Sequence, residues 1–205
     1  MNYRYHIQHS EETYHHFFRV RRYQVAYESF RGGMLENIER ECLGGGHHVV
    51  AALPYDPVRE KIILVEQFRI GAMVAGENPW QYEIVAGFMD ADDPSPEASI
   101  QRELEEEIGT RALHLEPLMN YLGSPGGSAG RTHLYLAEID SSRIIPYTGL
   151  LDEGEDIAVH SLPYTTAFDW LAQGKLDNAN TLLAMQAFLL RHPRNSTQQP
   201  EATTP

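Results

Sequence analysis

Four glutamates fall within the five residues Glu103–Glu107, and this run has the clearest capacity for chemistry in the sequence. It lies in the last turns of a predicted helix, where carboxylates oppose the helix dipole and like charges four residues apart repel each other. Glu103 and Glu107 share one helical face about one turn apart, so their oxygens are placed to bind one hard divalent cation. A solvated acidic surface is the alternative interpretation.

A strand, a loop and a helix are predicted to hold this run in place. The apolar residues 82–86 predict a strand that ends at Gly87. Ser95 is typical of a helix N-cap, and Pro96 is typical of the first helical position. With Gly109 as the expected C-cap, these signals predict a helix over 96–108 that carries the carboxylates near its end, and they favour the metal site.

Composition excludes several classes of protein. The chain has 205 residues and 42% hydrophobic residues, which suits one domain with an ordinary core, or one domain plus a small extension. A formal charge of −13 argues against a nucleic-acid partner. The single cysteine, Cys42, excludes an internal disulfide and fits a reducing compartment. We find neither an apolar run of membrane-spanning length nor a signal-peptide core, so we expect a cytoplasmic protein with no membrane partner.

The first 45 residues are predicted to form a small β extension. Residues 1–13 are polar, and we expect them to be loosely held. The runs 17–27 and 34–42 are rich in strand-forming residues and flank Gly32-Gly33, which predicts an antiparallel hairpin. A two-stranded unit is only marginally stable alone, so it should pack on another surface, such as a second subunit.

A mixed α/β domain is predicted to follow over residues 46–192. The tail 193–205 is rich in Pro, Thr, Gln and Ser, and we expect it to be disordered. The predicted strands are 47–53, 61–67, 81–86, 113–122, 132–139 and 157–162, and the predicted helices are 96–108, 165–173 and 178–191.

The strand, loop and helix together resemble the Nudix box, which reads Gly-x5-Glu-x7-Arg-Glu-U-x-Glu-Glu-x-Gly-U with U apolar. Residues Arg102–Gly109 match its second half, while Thr110 replaces an apolar residue. Between Gly87 and Arg102 the chain has one residue more than the family spacing, and Asp93 stands where the motif has its first Glu, a position expected to support the loop. The resemblance implies an α/β/α sandwich with a mixed sheet, preceded by the N-terminal antiparallel β-hairpin extension.

Two further matches point to one subfamily. Pro125 lies sixteen residues after Gly109, in the run Ser124–Gly127. Alone this run is typical of a plain turn, but after the box it resembles the mark of the ADP-ribose pyrophosphatases. The acidic run 150–156 matches a mobile loop that closes over the diphosphate in the bacterial enzymes of that subfamily.

The resemblance implies a metal centre of two or three Mg²⁺ ions, with Mn²⁺ as an alternative. Its ligands would be the Ala86 carbonyl together with Glu103, Glu107 and Glu155.

The resemblance also implies the residues that move protons. Glu153 is predicted to be the general base, although Glu153 and Glu155 could exchange roles. Glu106 and Arg102 are the other predicted catalytic residues. Glu106 either assists at the metal or forms an ion pair with Arg102 four residues away.

Substrate contacts are implied in three regions. Aromatic side chains from a partner subunit would sandwich adenine with an arginine face, and Arg69 would bind the diphosphate. Without the resemblance, Phe17 and Phe18 would be hairpin core residues and Arg69 a surface charge. The implied substrate-binding residues are Phe17, Phe18, Arg40, Glu41, Arg69, Phe88, Ser124, Pro125 and Gly126.

We therefore predict Mg²⁺-dependent hydrolysis of ADP-ribose to AMP and ribose 5-phosphate by a homodimer formed through the hairpin. One alternative is the same reaction on another nucleoside diphosphate sugar such as GDP-mannose. Gly130 and the run Gly44–Gly46 replace a family Glu and a family basic residue, which leaves the preferred sugar open. Another alternative is a sensor that binds the nucleotide sugar without hydrolysing it, against which the three box glutamates argue.

Overall fold

The computed structural model describes residues 2–44, 48–149 and 154–193, which fall into two compact units. The first unit comprises residues 1–49 with 120–132, and the second comprises 50–119 with 133–205. The predicted strand start at His47 and residues 194–205 of the predicted tail lie outside the described residues. Among those residues, no helix is long and apolar enough to cross a membrane.

The first unit is built on a three-stranded antiparallel sheet in the order β1 (Tyr5–His15), β2 (Arg19–Glu28) and β3 (Met34–Leu43). The predicted hairpin is confirmed as β2 and β3, joined by a turn at Gly32 and Gly33. Both glycines have positive φ angles, 89° and 78°, a region that glycine enters without steric penalty.

Strand β1 corrects the expectation that residues 1–13 are loosely held. It pairs with β2 along its length, and ion pairs join Arg4 to Glu28 at 2.7 Å and Arg22 to Glu11 at 3.3 Å. Its side chains are almost all exposed, which is why the segment is polar. The polarity reflects a strand exposed on both faces rather than a lack of structure.

The second unit contains most of a mixed sheet in the order β10-β11-β5-β4-β9-β8, with β6 paired to β5 and β7 paired to β4. Its strands are β4 (Val49–Asp56), β5 (Lys61–Phe68), β6 (Trp80–Glu83), β7 (Val85–Phe88), β8 (His114–Leu122), β9 (Arg131–Glu138), β10 (Tyr147–Thr148) and β11 (Ile157–Pro163). The helices are α1 (Ile70–Ala75), α2 (Pro96–Ile108), α3 (Tyr164–Ala172) and α4 (Ala179–Arg191), with a 3₁₀ turn at Ser141–Arg143.

Strands β4 and β5 form the centre of this sheet and send alternate side chains to its two faces. On one face, side chains of the sheet and of α2 form a fully buried apolar cluster. Its members include Val50, Ile63 and Val65 from the sheet and Ile100 and Leu104 from α2. On the other face the Phe188 ring of α4 packs against the rings of Tyr55 and Tyr164, with ring centroids 5.2 and 5.1 Å apart. Helices thus cover both faces, and the predicted α/β/α sandwich is confirmed.

Helix α2 begins and ends at the predicted residues. The Ser95 hydroxyl accepts a hydrogen bond from the Ala98 N–H at 3.2 Å, and Gly109 ends the helix with a φ of 76°. The single strand predicted over 81–86 is instead two strands, because the chain changes its pairing partner at Ile84. The Ile84 N–H donates to the Thr181 hydroxyl at 3.1 Å, and Ile84 itself belongs to neither strand.

Asp56 ends β4 with a buried carboxylate that joins three segments of the chain. It accepts hydrogen bonds from the N–H groups of Val58 and Arg59 at 2.9 Å, and from the Ser141 N–H and hydroxyl at 3.0 and 2.6 Å. Burial alone raises the pKa of Asp56, but the bonds from Ser141 and Arg59 outweigh burial and hold that pKa well below its usual value.

We expect Asp56→Asn to lower the free energy of unfolding at pH 7 by about 2 kcal/mol or more, because several hydrogen bonds to a charged acceptor are weakened. The folded pKa lies below the unfolded value of about 3.9. The stabilisation is therefore present above about pH 4 and is lost as the pH falls towards the folded pKa.

Urea unfolding at pH 7 and pH 3 measures this effect, with the exposed Asp92→Asn as control. The deficit of Asp56→Asn relative to the wild type should shrink at pH 3. An equal deficit at both values would contradict a charge-based role.

Candidate active site

The acidic run of α2 divides into buried and exposed members. Glu103 and Glu107 are each only 8% exposed, whereas Glu105 and Glu106 are exposed to solvent. Burial raises the pKa of Glu103 to about 7, with Arg102 lowering it and Glu106 raising it. Burial also raises the pKa of Glu107 well above its usual value, and the charge of Glu103 adds to that rise. The run is therefore not simply a solvated face.

Strand β7 lies directly against the two buried carboxylates. The Ala86 N–H donates to Oε2 of Glu107 at 3.4 Å. A Cβ atom on Gly87 would lie 2.1 Å from Oε1 of Glu103, so only glycine leaves room for that carboxylate. The strand end and the helix face thus form one cradle lined by oxygen atoms.

Arg102 binds the loop after β7 to α2. Its guanidinium donates to the Phe88 carbonyl at 3.2 Å and contacts Asp93 at 3.3 Å, Glu103 at 2.9 Å and Glu106 at 3.0 Å. Burial acts to lower the pKa of Arg102, but Glu103 and Asp93 among other acids raise it above its usual value. These contacts include the ion pair predicted between Arg102 and Glu106, whose catalytic roles stay predictions.

Asp93 closes the loop that carries the extra residue. Its Oδ2 accepts hydrogen bonds from the Ser99 hydroxyl at 2.6 Å and from the Asp90 N–H at 2.9 Å, in addition to the contact with Arg102. The bond from Ser99, followed by that from Asp90, lowers the pKa of Asp93. The loop is thereby fastened to the first turns of α2, as expected for the first acidic position of the motif.

Arg69 follows β5 and lies near the carboxylates, close enough to lower the pKa of Glu107. Its Nε and Nη2 atoms contact Oε2 of Glu83 at 2.8 and 2.6 Å. Glu83 did not figure among the predicted site residues. The available signal was a glutamate inside an apolar strand, since a buried carboxylate requires a partner.

The predicted acidic loop is only partly described. Glu153, the predicted base, lies outside the described residues together with the rest of 150–153. Glu155 is described and exposed, and its charge raises the pKa values of both Glu103 and Glu107. The structure therefore brings Glu155 close to the buried carboxylates.

The chain before this loop is fixed to the end of α2. The Thr148 hydroxyl donates to the Glu107 carbonyl at 2.5 Å. Gly149 has a φ of 93°, and a Cβ there would lie 2.7 Å from the Glu155 carbonyl oxygen. The described residues on the two sides of the loop, Gly149 and Glu155, thus lie close together, and Thr148 binds the end of α2.

Of the other predicted substrate residues, Phe88 ends β7 in the second unit with an exposed side chain, and the rest belong to the first unit. Phe17 and Phe18 lie in the turn between β1 and β2, with both rings exposed and their centroids 4.9 Å apart. Their exposure is incompatible with the alternative that they form a hairpin core. Arg40-Glu41 is exposed in β3, and residues 124–126 lie in the loop between β8 and β9.

The donor atoms at the cradle fit a hard divalent cation. Within the described ranges, no three His, Cys, Asp or Glu side chains already stand together in a metal-binding arrangement. Glu103 and Glu107 nevertheless place two buried carboxylates against a backbone strand at Gly87, where a Cβ would displace one of them. Oxygen-only donors of this kind suit Mg²⁺ or Mn²⁺.

We expect Gly87→Ala to lower the affinity for Mn²⁺ by about tenfold or more, as found when support of a metal ligand is lost. The new methyl group must displace the Glu103 carboxylate, which is the end of a flexible side chain, so the fold should persist. Mn²⁺ titration followed by electron paramagnetic resonance measures the affinity. Gly71→Ala is the control, because a Cβ there would meet no described atom within 4 Å other than its chain neighbours and the backbone of its own helix. Unchanged Mn²⁺ affinity in Gly87→Ala would contradict the cradle.

Comparison with known proteins yields one consistent family. A NUDIX domain model matches residues 46–184. The chain is 37% identical over 182 residues to the ADP-ribose pyrophosphatase of Escherichia coli (strain K12), covering 89% of this chain and 86% of that protein. It is 37% identical to the ADP-ribose pyrophosphatase of Haemophilus influenzae over 186 residues, covering 89% and 85%.

Two further similarities are more distant in sequence. The chain is 33% identical over 177 residues to the GDP-mannose pyrophosphatase of Pectobacterium atrosepticum, covering 86% of this chain and 89% of that protein. A crystal structure of an ADP compounds hydrolase superposes with a TM-score of 0.70 at 19% identity, covering 93% and 97% of the two chains. The superposition with the ADP compounds hydrolase shows a shared fold.

Proposed function

The chain belongs to the Nudix family, and on that premise we propose that it hydrolyses the diphosphate of ADP-ribose to AMP and ribose 5-phosphate. The observation that carries this proposal is the buried pair Glu103 and Glu107 against Gly87, in a chain 37% identical to ADP-ribose pyrophosphatases. Hydrolysis joins a water oxygen to one phosphorus and breaks the bond from that phosphorus to the bridging oxygen.

Two obstacles must be overcome in this reaction: the substrate is anionic, and water is a weak nucleophile. We propose that Ala86, Glu103, Glu107 and Glu155 hold divalent ions, two or three Mg²⁺ with Mn²⁺ as an alternative. Such ions supply charge neutralisation and a more acidic water when bound. The burial of the first two glutamates and the proximity of Glu155 support this ligand set.

The chain's own side chains have the remaining roles. Glu153 is the proposed base that takes the proton of the attacking water, and Glu155 is the alternative base. Arg69 is proposed to bind phosphate oxygens, supported by its position near Glu107. Glu106 and Arg102 are the other proposed catalytic residues. Their ion pair lies within α2, and the contacts of Arg102 with the Phe88 carbonyl and Asp93 hold that helix to the loop.

We assign the substrate's adenine to the first unit. Phe17 and Phe18 expose aromatic faces, and Arg40-Glu41 lies exposed in the same unit. We propose that residues 1–45 form a dimerisation extension, so that the aromatics of one subunit serve the site of its partner. The exposed apolar side chains of β1, such as Tyr5 and Ile7, support a surface covered by a second subunit.

We propose residues 46–192 as the catalytic domain and the cytoplasm as the compartment. The family match over 46–184 supports the domain limits. The single cysteine supports a reducing compartment. The partner is a small nucleoside diphosphate sugar rather than nucleic acid.

The first test is phosphate-coupled hydrolysis of ADP-ribose and GDP-mannose with and without Mg²⁺. We expect Mg²⁺-dependent cleavage of ADP-ribose to AMP. A higher kcat/KM for GDP-mannose would favour the second candidate function, which the Pectobacterium atrosepticum relative supports. Calorimetric binding of ADP-ribose without cleavage would identify a sensor instead.

We expect Glu107→Gln and Glu103→Gln each to lower kcat by about 10³-fold or more, because a metal ligand contributes several kcal/mol to the transition state. Glu105→Gln is the matched control, since Glu105 is exposed on the same helix and pairs only with Arg111 among the described residues. Steady-state kinetics at saturating Mg²⁺ measures the effect. Near-full activity of Glu103→Gln would refute the metal assignment.

Phe17→Ala should raise KM for ADP-ribose about tenfold with little change in kcat, because stacking on a base contributes about 1–3 kcal/mol to binding. The control is Phe30→Ala, an exposed aromatic of the same unit in the turn after β2. An unchanged KM in Phe17→Ala would remove this residue from the proposed adenine site.

A further inference from the structure

Glu83 ends β6 with a buried carboxylate, 5% exposed, that has a hydrogen-bond partner on each oxygen. Oε2 accepts from Arg69 Nε at 2.8 Å and contacts Arg69 Nη2 at 2.6 Å. Oε1 accepts from Asn178 Nδ2 at 2.8 Å. A buried carboxylate is tolerated when its charge is paired and its oxygens are bonded, and both conditions hold here. No role described above uses Glu83.

This contact fixes the orientation of Arg69. Because Nε and Nη2 both point at one oxygen of Glu83, the planar guanidinium is held along one edge, and its Nη1 edge faces away. The backbone is held as well, since the Arg69 N–H donates to the Pro79 carbonyl at 2.7 Å and its carbonyl accepts from Met73. The side chain remains 43% exposed, so its outer edge is accessible to a ligand.

Asn178 provides the hydrogen-bond donor for Oε1 of Glu83. Asn178 is the N-cap of α4, and its Oδ1 accepts from the N–H groups of Asn180 and Thr181 at 2.9 and 3.2 Å. Only its Nδ2 is then left to face Glu83. Beside it, Thr181 accepts the Ile84 N–H, so the start of α4 is joined to the chain at two adjacent points.

We propose that Glu83 is a positioning residue, held by Asn178, that aims the Arg69 guanidinium at the substrate diphosphate. This inference rests on the proposed function, because it takes Arg69 as a ligand of the diphosphate. An arginine that is already fixed along one edge loses less side-chain freedom when it binds phosphate oxygens. Removal of the anchor should therefore weaken substrate binding more than the chemical step.

An exchange of donor and acceptor tests this arrangement. Glu83→Gln replaces one carboxylate oxygen by an NH₂ group, which faces either the Asn178 Nδ2 donor or the Arg69 donors. Asn178→Asp alone places two carboxylates face to face. In the double variant the glutamine NH₂ group donates to the aspartate carboxylate, so the hydrogen bond is restored with its direction reversed. Asp also remains a good N-cap.

We expect each single variant to raise KM for ADP-ribose by about tenfold to a hundredfold, the loss typical of a hydrogen bond to a charged group. The value of kcat should change little, as expected when ground-state and transition-state binding fall together. The double variant should recover most of the wild-type KM. The exposed Glu77→Gln is the control.

Two readouts separate positioning from a general loss of structure. In an Arg69→Ala background, Glu83→Gln should add no further rise in KM, because the positioned group is already gone. The Arg69 Nε–H resonance should exchange with water more slowly in the wild type than in Glu83→Gln, and the double variant should restore slow exchange.

The results also distinguish this inference from the proposed function. If Arg69→Ala raises KM and Glu83→Gln does not, the inference is overturned and hydrolysis of ADP-ribose stands. A rise in KM of equal size with and without Arg69 would overturn it as well. If the wild-type protein cleaves no nucleoside diphosphate sugar, the proposed function fails and the role of Glu83 in it fails too.

Discussion

Two carboxylates of like charge, Glu103 and Glu107, are buried side by side on α2, and much of the second unit compensates for that arrangement. Burial of an ionised carboxylate opposes folding by several kcal/mol, and the pair also repel each other. Next to the carboxylates on the same buried side of α2 lie Ile100, Leu104 and Ile108, all fully buried in the apolar cluster against the sheet. Packing of these apolar side chains thus holds the neighbouring carboxylates in an unfavourable electrostatic state.

The arginines around the carboxylates differ in how they are held. Arg102 is tied to acidic side chains and to the Phe88 carbonyl, so it fastens β7 and its loop to α2. Arg69 is paired with Glu83 along one edge only and keeps an exposed outer edge. The first arrangement maintains the site, whereas the second leaves a cationic group available to an anionic ligand. This division agrees with the proposed site, which would fix its metal ligands and also admit and release a charged substrate.

The features that the sequence predicted correctly are those specified by neighbouring residues. The limits of α2 follow from Ser95 and Gly109, which act within a turn of the helix they cap. The carboxylate pair follows from helical spacing alone. Strand β1 was missed because its polar side chains hide a pairing that is made by the backbone. The division of β6 from β7 was missed because the change of pairing partner at Ile84 depends on strands that are distant in the sequence.

The site shows the same contrast between local and distant determinants. Glu83 and Asn178 are 95 residues apart in the chain, and no local pattern connects them. The acidic loop was predicted from its position in the resemblance, and only the placement of Glu155 near the carboxylates rests on the structure. The sequence allowed Phe17 and Phe18 to be either hairpin core residues or ligand contacts, and the structure shows that both are exposed.

Asp93 closes the loop before α2 with hydrogen bonds. A change in the length of that loop therefore need not shift the register of the helix. One side chain accepts hydrogen bonds from Asp90, Ser99 and Arg102, and the extra residue lies within the segment that these bonds enclose. Insertions in that segment can therefore be neutral in evolution while the helix and its carboxylates keep their places. A sequence pattern that demands fixed spacing would overlook this box, although the hydrogen bonds of Asp93 that join the loop to the helix are intact here.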